Sequence, residues 1–355
     1  MNDRIVMKII SKIPDPSRLI LCFIVLLTIP RLAIGLDLDV ILKDVHPDIR
    51  KWATVISVSN PNGTPTFTTS HFGNSESQVD FWPASTIKLY TVIAGTEFLN
   101  THGMPIDSTI TFARADSDGN YHRDCARVFT EMVSEVFRRS SNEDYTLLLR
   151  MMGIDYINTR FLVPDRGFPH SALMRDYVTH RPIIYENDEP QRIEIFGPDG
   201  THKVIDHTWS GVSYAERRGA TILSSTTGNC TSTAELADCV RRLIFHDVLP
   251  KEERFNISSD QADFIIFGDK NRGLVGFENR LAGPYAWEQS GERVFPQARY
   301  FHKGGLISTY VLDIGYITDV ESDTHLVFAL AAFTGEEQVV RDMAADIFTA
   351  ASIEP

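Results

Sequence analysis

Between Ala84 and Leu99 the chain reads ASTIKLYTVIAGTEFL, and a helix through it places Ile87, Leu89, Val92, Ile93, Ala94, Phe98 and Leu99 on nearly every side. A helix that is apolar all round is buried, so the rest of the fold must wrap this segment. Yet its first turn carries Ser85 and Lys88, three residues apart and therefore on one side of the helix. A lysine in apolar surroundings resists protonation and becomes a usable base near neutral pH. A serine within reach of such an amine is an activated nucleophile. The plain alternative is an N-cap serine beside a snorkelling lysine, and S-x-x-K by itself recurs by chance in a chain of this length.

With 355 residues, 43% of them hydrophobic and 23% charged, the chain has material for one large domain or two smaller ones. A net charge of −13 argues against nucleic acid, which requires a basic footprint. Arg4, Lys8, Lys12 and Arg18 precede the apolar run LILCFIVLLTI, which Pro30 and Arg31 close. That run is short for a bilayer span. Basic residues, a short apolar run and the small pair Ala33/Gly35 read as a secretory signal over residues 1–35, or else a retained membrane anchor. The chain is then secreted or periplasmic, with membrane contact if the segment stays. Beyond it, Cys125, Cys230 and Cys239 remain, an odd number that rules out a disulfide scaffold and leaves room for one bridge. The sequons at Asn62, Asn229 and Asn256 are about what chance allows.

Strand-rich runs around NPNG read as a hairpin over residues 52–72. The buried helix follows, then ARADSDGNYHRD as a polar connection, an amphipathic helix with Phe129, Met132, Val133, Val136 and Phe137 on one stripe, and a further helix ended by Gly153. Residues 160–220 read as irregular, with a small hairpin around GPDG. Helix returns after Ser232, which with Glu235 has capping-box spacing. Three strands, ARYFHKGGLI, YVLDIGYIT and HLVFALAAF, precede a last helix. Short links between those strands imply antiparallel pairing. The segregation of strands and helices implies an α+β fold, an antiparallel sheet flanked by helices, with both chain ends in one sheet and a helical lobe between.

Two further pieces carry chemistry. RRSSNED offers Ser140 and Asn142 in a break between helices, although Ser140 with Glu143 also has capping-box spacing. FHKGG puts Lys303 on a strand before Gly304 and Gly305, and glycine in a strand marks a bulge or a close backbone approach. Each piece alone is ordinary. The ordered set of S-x-x-K opening a buried helix, S-x-N between helices and K-G-G on a late strand resembles the serine β-lactamase and penicillin-binding protein superfamily, most closely its class A-like branch. The resemblance covers residues from about 50 to 350.

That resemblance implies a β-lactamase/D,D-peptidase-like catalytic domain over residues 36–355, acting by acyl transfer on β-lactams or similar amides and esters. Ser85 would be the nucleophile, Lys88 its proton acceptor, and Ser140 the donor to the leaving nitrogen. Asn142 would hold the substrate amide and Lys303 would face its carboxylate, with Gly304, Gly305 and Leu306 lining the substrate beside it. The backbone N–H groups of Ser85 and Leu306 would form the oxyanion hole. No metal or cofactor is implied, and the partner is a small β-lactam or peptidoglycan-like molecule. Two departures stand out: Gly304 replaces the usual Thr or Ser, and no E-x-x-L-N pattern supplies a deacylating glutamate, Asp176 in SALMRDYV being the nearest carboxylate. Residues 183–215 read as an insertion, its hairpin a lid or partner surface. A D,D-carboxypeptidase or esterase, or a penicillin-binding sensor or scaffold that does not turn over, is the alternative.

Overall fold

The computed structural model describes residues 35–77, 82–187, 189–221 and 228–353; the apolar run 19–29 and nearly all of the N-terminal segment lie outside them. Among the described residues no helix is long and apolar enough to cross a membrane. Along the chain come α1 (Leu38–Leu42), β1 (Lys51–Ser59), β2 (Thr66–Phe72), a 3-10 turn (Ala84–Ile87) running into α2 (Lys88–Thr101), β3 (Thr109–Ala115), β4 (Tyr121–Val128), α3 (Phe129–Arg139) and α4 (Asn142–Met152). After a largely irregular stretch follow β5 (Gln191–Phe196), β6 (His202–His207) and helices over Thr233–Ile244 and Ser259–Phe267. The short ladder β7 (Gly268–Asp269) and β8 (Leu274–Val275) comes next. Strands β9 (Arg299–Ile307), β10 (Tyr310–Asp319) and β11 (Thr324–Ala332) precede the closing helix Glu337–Ile353.

Both ends of the chain meet in a five-stranded antiparallel sheet of order β2-β1-β11-β10-β9. The register runs from Lys51↔Ala332 to Ser57↔Leu326 across the centre, and Ile314 lies opposite Lys303 at the β9 edge. Every residue of β11 is buried, which explains its unbroken apolar sequence: the sheet is covered on both faces. Ile56, Leu312, Ile314, Val327 and Ala329 point into the large core with Ile87, Tyr90, Val240 and Leu243. Their alternates Val55, Val311, Phe328 and Leu330 pack with Leu42, Trp287, Val340 and Phe348 on the other face. Helix α2, buried over Lys88–Leu99, runs through the large core as its all-round apolarity requires.

The middle of the chain differs from expectation. ARADSDGNYHRD is not a connection but most of a β3–β4 hairpin, whose turn Asp116 holds by accepting the N–H groups of Asp118 and Asn120 at 2.9 and 2.8 Å. Because β4 lies on the exposed side, its polar side chains hid it from an apolar-pattern reading. The GPDG hairpin, β5–β6, pairs onto β3 and completes a second antiparallel sheet of order β4-β3-β5-β6. Ile193 and Ile195 alternate into the core beside Ile110 and Phe112, so this hairpin is a structural part of the lobe. Cys125 and Cys239 are free thiols, and Cys230 Sγ donates to the His170 carbonyl at 3.4 Å. Asn229 is wholly buried and its sequon is closed off from solvent in the folded protein.

Candidate active site

Ser85 sits in the 3-10 turn that opens α2, half-exposed, while Lys88 one turn on is fully buried. The residue before the serine, Ala84, has φ +45°, a left-handed conformation that costs an L-residue about 1–2 kcal/mol. Such strain persists where surrounding contacts enforce it. Two contacts do so here. Tyr177 Oη donates to the Ala84 carbonyl at 2.9 Å. On the other side β9 presses so close that a β-carbon on Gly305 would stand 3.1 Å from the Ser85 nitrogen. Gly305 is thus the close approach that its strand position suggested.

The second motif is built by a chain reversal. Ser140 caps the C-terminus of α3 in the left-handed conformation, φ +56° and ψ +41°, and Asn142 begins α4. The N-cap of α4 is Ser141, whose Oγ accepts the Asp144 N–H at 3.1 Å, not Ser140 as the spacing to Glu143 suggested. Capping by Ser141 leaves the Ser140 hydroxyl for the site. Lys88 Nζ donates to the Ser140 carbonyl at 2.5 Å, Asn142 Oδ1 at 2.6 Å and Ser140 Oγ at 3.2 Å. Lys303 Nζ donates to the same Oγ at 2.8 Å and to the Gly304 carbonyl at 2.6 Å. Burial drives the Lys88 pKa well below that of a free lysine, and the charge of Lys303 lowers it further. Burial brings Lys303 down to about 7, with Asp313 opposing.

Gly304 has a steric cause. A β-carbon there would lie 2.2 Å from the Gly283 carbonyl oxygen and 2.9 Å from that of Ala282. The loop before β9 therefore fills the space a Thr or Ser side chain would need. Beneath it, buried Asp313 on β10 accepts from the Ala286 N–H and from Tyr300 Oη, each at 2.8 Å, which fixes that loop against the sheet.

A cleft of about 520 Å³ opens over Ser85, with Asn142 and Leu306 at its sides. Its far wall is Arg175, Tyr177, Val178, Thr179 and Pro182, and Trp82 borders its mouth. Asp176 does not line it. Its carboxyl is fully buried, Oδ2 accepts the Ile183 N–H at 2.9 Å, Oδ1 has no partner, and burial raises its pKa. The residue that reaches the turn of Ser85 from this wall is Tyr177, at the Ala84 carbonyl, and its Oη also accepts from Trp82 Nε1 at 3.2 Å and Asn229 Nδ2 at 3.0 Å. Asn229 organises the wall: Oδ1 accepts the N–H groups of Met174 and Arg175 at 2.6 and 3.0 Å, and Nδ2 donates to the Arg175 carbonyl at 3.1 Å. Nothing local in RDYV announces these roles, since they depend on a partner over fifty residues away.

No protein-family model matches the sequence, and no curated protein matches it. Solved structures do. A β-lactamase from Sphaerobacter thermophilus is 17% identical, with 90% of this chain and 97% of that one covered and a TM-score of 0.52. The penicillin-binding protein PBP-A is 15% identical over 90% and 98% of the two chains, with a TM-score of 0.54. A class A β-lactamase representative from Bacteroides cellulosilyticus is 12% identical over 89% and 96%, with a TM-score of 0.52. At these identities the likeness is one of fold.

Proposed function

We propose that this chain, which has the β-lactamase fold, is a serine hydrolase that transfers an acyl group from a β-lactam, or an amide or ester of related shape, to Ser85. One observation carries the reading: two buried lysines converge on Ser140 Oγ, Lys88 at 3.2 Å and Lys303 at 2.8 Å, and Lys88 lies one helical turn from the half-exposed Ser85. Two like charges so close in a buried setting favour a neutral amine. Neutral Lys88 takes the Ser85 proton as Oγ attacks the carbonyl carbon. The oxyanion rests on the backbone N–H groups of Ser85 and Leu306. Lys88 returns the proton through Ser140 to the leaving nitrogen, and the C–N bond breaks. Asn142, its Oδ1 held by Lys88, presents its amide N–H to the substrate, and Lys303 supplies positive field for a carboxylate. Export through residues 1–35 belongs to the same proposal. A point variant of the neighbour PBP-A is described as an acyl-enzyme complex with penicillin G, a chemistry in keeping with this reading.

A second reading, a penicillin-binding sensor or scaffold acylated once, is favoured by the far wall. Hydrolysis of the ester requires a base that holds water against it, and that wall offers Tyr177, bonded to the Ala84 carbonyl, while no carboxylate is among the described residues lining the cleft. Intact-mass measurement over time after mixing with benzylpenicillin tests both readings. An adduct of one penicillin, lost in Ser85→Ala, is expected. A persistent adduct identifies the sensor, a decaying one the hydrolase, and no adduct on the wild type rejects both.

A further inference from the structure

Among the described residues Arg175 is a cation with no ion-pair partner. Its backbone is fixed on every side: the N–H on Asn229 Oδ1, the carbonyl on Asn229 Nδ2 and on Tyr145 Oη at 2.8 Å, and a bridge to Ile184. Its side chain is steered by one bond, Nε to the Asp176 carbonyl at 2.9 Å. Among the described residues no carboxylate pairs with it and no acceptor takes its terminal nitrogens, although it lines the cleft. In a chain with 47 acidic against 34 basic residues, an arginine held so firmly and left unpaired is set up to take an anion from outside.

The cleft also tells which half of a substrate would meet it. Ser140, which addresses the leaving nitrogen, and Lys303, which faces the carboxylate on that side, do not line the open volume. It extends instead from Ser85 along Arg175, Tyr177 and Thr179, the side on which the acyl portion must lie once the carbonyl is over Ser85. We propose that Arg175 binds a carboxylate on the acyl side of the substrate, so that the compounds this site prefers are anionic on that side as well. The proposal rests on the reading of Ser85 as an acyl acceptor and adds to it the substrate class.

The test compares acylation of the full chain by benzylpenicillin and by its α-carboxy analogue, which differ by one acyl-side carboxylate, through second-order rates from intact mass. The carboxylated compound should react roughly tenfold faster or more, the range of one charge-assisted hydrogen-bonded contact. Arg175→Gln should bring that ratio to about one, and Arg175→Lys should retain part of it. A ratio near one in the wild type, or one unchanged in Arg175→Gln, overturns the assignment while leaving Ser85 untouched. If neither compound forms an adduct, the acyl-transfer reading fails on its own, and Arg175 is judged by equilibrium binding followed by NMR. Phenylmalonate should then bind several-fold more tightly than phenylacetate, a difference lost in Arg175→Gln. Equal binding of the two acids overturns the proposal.

Discussion

Gly304 lies against Gly283 so closely that a β-carbon on the first would stand 2.2 Å from the carbonyl oxygen of the second. The obstacle is backbone, pinned through Ala286 to Asp313, so a side chain at 304 must push the loop off the sheet. Gly304→Thr, which would recreate the K-T-G pattern, is therefore expected to lower unfolding free energy by roughly 1–3 kcal/mol and to slow acylation. Denaturant unfolding at one pH measures the first effect. Wild-type stability in Gly304→Thr would show that the loop yields freely.

Tyr177 restrains the strained peptide before the nucleophile. Tyr177→Phe removes the donor to the Ala84 carbonyl and leaves Trp82 Nε1 without its acceptor. The loss should be about 1–3 kcal/mol of stability, together with a roughly tenfold or greater fall in acylation rate as Ser85 loses its fixed position. A fall in stability alone, with the acylation rate unchanged, would confine Tyr177 to a packing role.

Asp176→Asn separates a deacylating role from a structural one. Because the carboxyl is buried off the cleft, the lifetime of any acyl-enzyme should stay within about twofold, judged against the hundredfold cost on the order of a 1 Å misplacement of a catalytic group. A much longer lifetime, read by intact mass, would return the water-activating role to Asp176.

The pH dependence of stability should carry two opposite slopes. Glu235 is buried, accepts from the His170 N–H at 2.7 Å and from Ser171 Oγ, and burial lifts its pKa to about 7. The folded state thus holds that proton more tightly than the unfolded one, and stability falls as pH rises from about 4.5 to about 7. Lys303, brought down to about 7, holds its proton less tightly when folded, so stability is regained from about 7 towards 10.5. Glu235→Gln should flatten the first limb, and Lys303→Met should make the second shallower, with the buried Lys88 carrying the rest, in unfolding free energies measured across pH 4–10. An unchanged limb in its variant would assign that slope to other groups.

The candidate groups were legible through the ordered set of three motifs and the resemblance it carries, each motif being ordinary alone. Lys88, Ser140, Asn142 and Lys303 are joined by hydrogen bonds, and Ser85 lines the same cleft as Asn142. The central sheet was legible as well, since β9, β10 and β11 are apolar runs with short links. What stayed hidden depends on distant partners. Tyr177 and Arg175 take their positions from Asn229, and the bare Gly304 answers to a loop some twenty residues earlier. β4 was missed because an exposed strand carries no apolar signal, and the capping-box spacing of Ser140 with Glu143 is a coincidence, since Ser141 beside it performs the capping.

The pairing of β1 with β11, from Lys51↔Ala332 onward, sets the order in which this molecule can come into being. Nearly all the described chain lies between those partners, and contacts of such long sequence separation make folding slow. During synthesis the helix bearing Ser85 emerges early, yet the strand bearing Lys303 and the strand that completes the sheet arrive at the end. Until then β1 offers an open edge, and the apolar helix has no sheet to rest on, a state prone to aggregation or capture by chaperones. A nascent chain or a fragment lacking β11 should therefore lack the cleft over Ser85, which takes shape with the last strand.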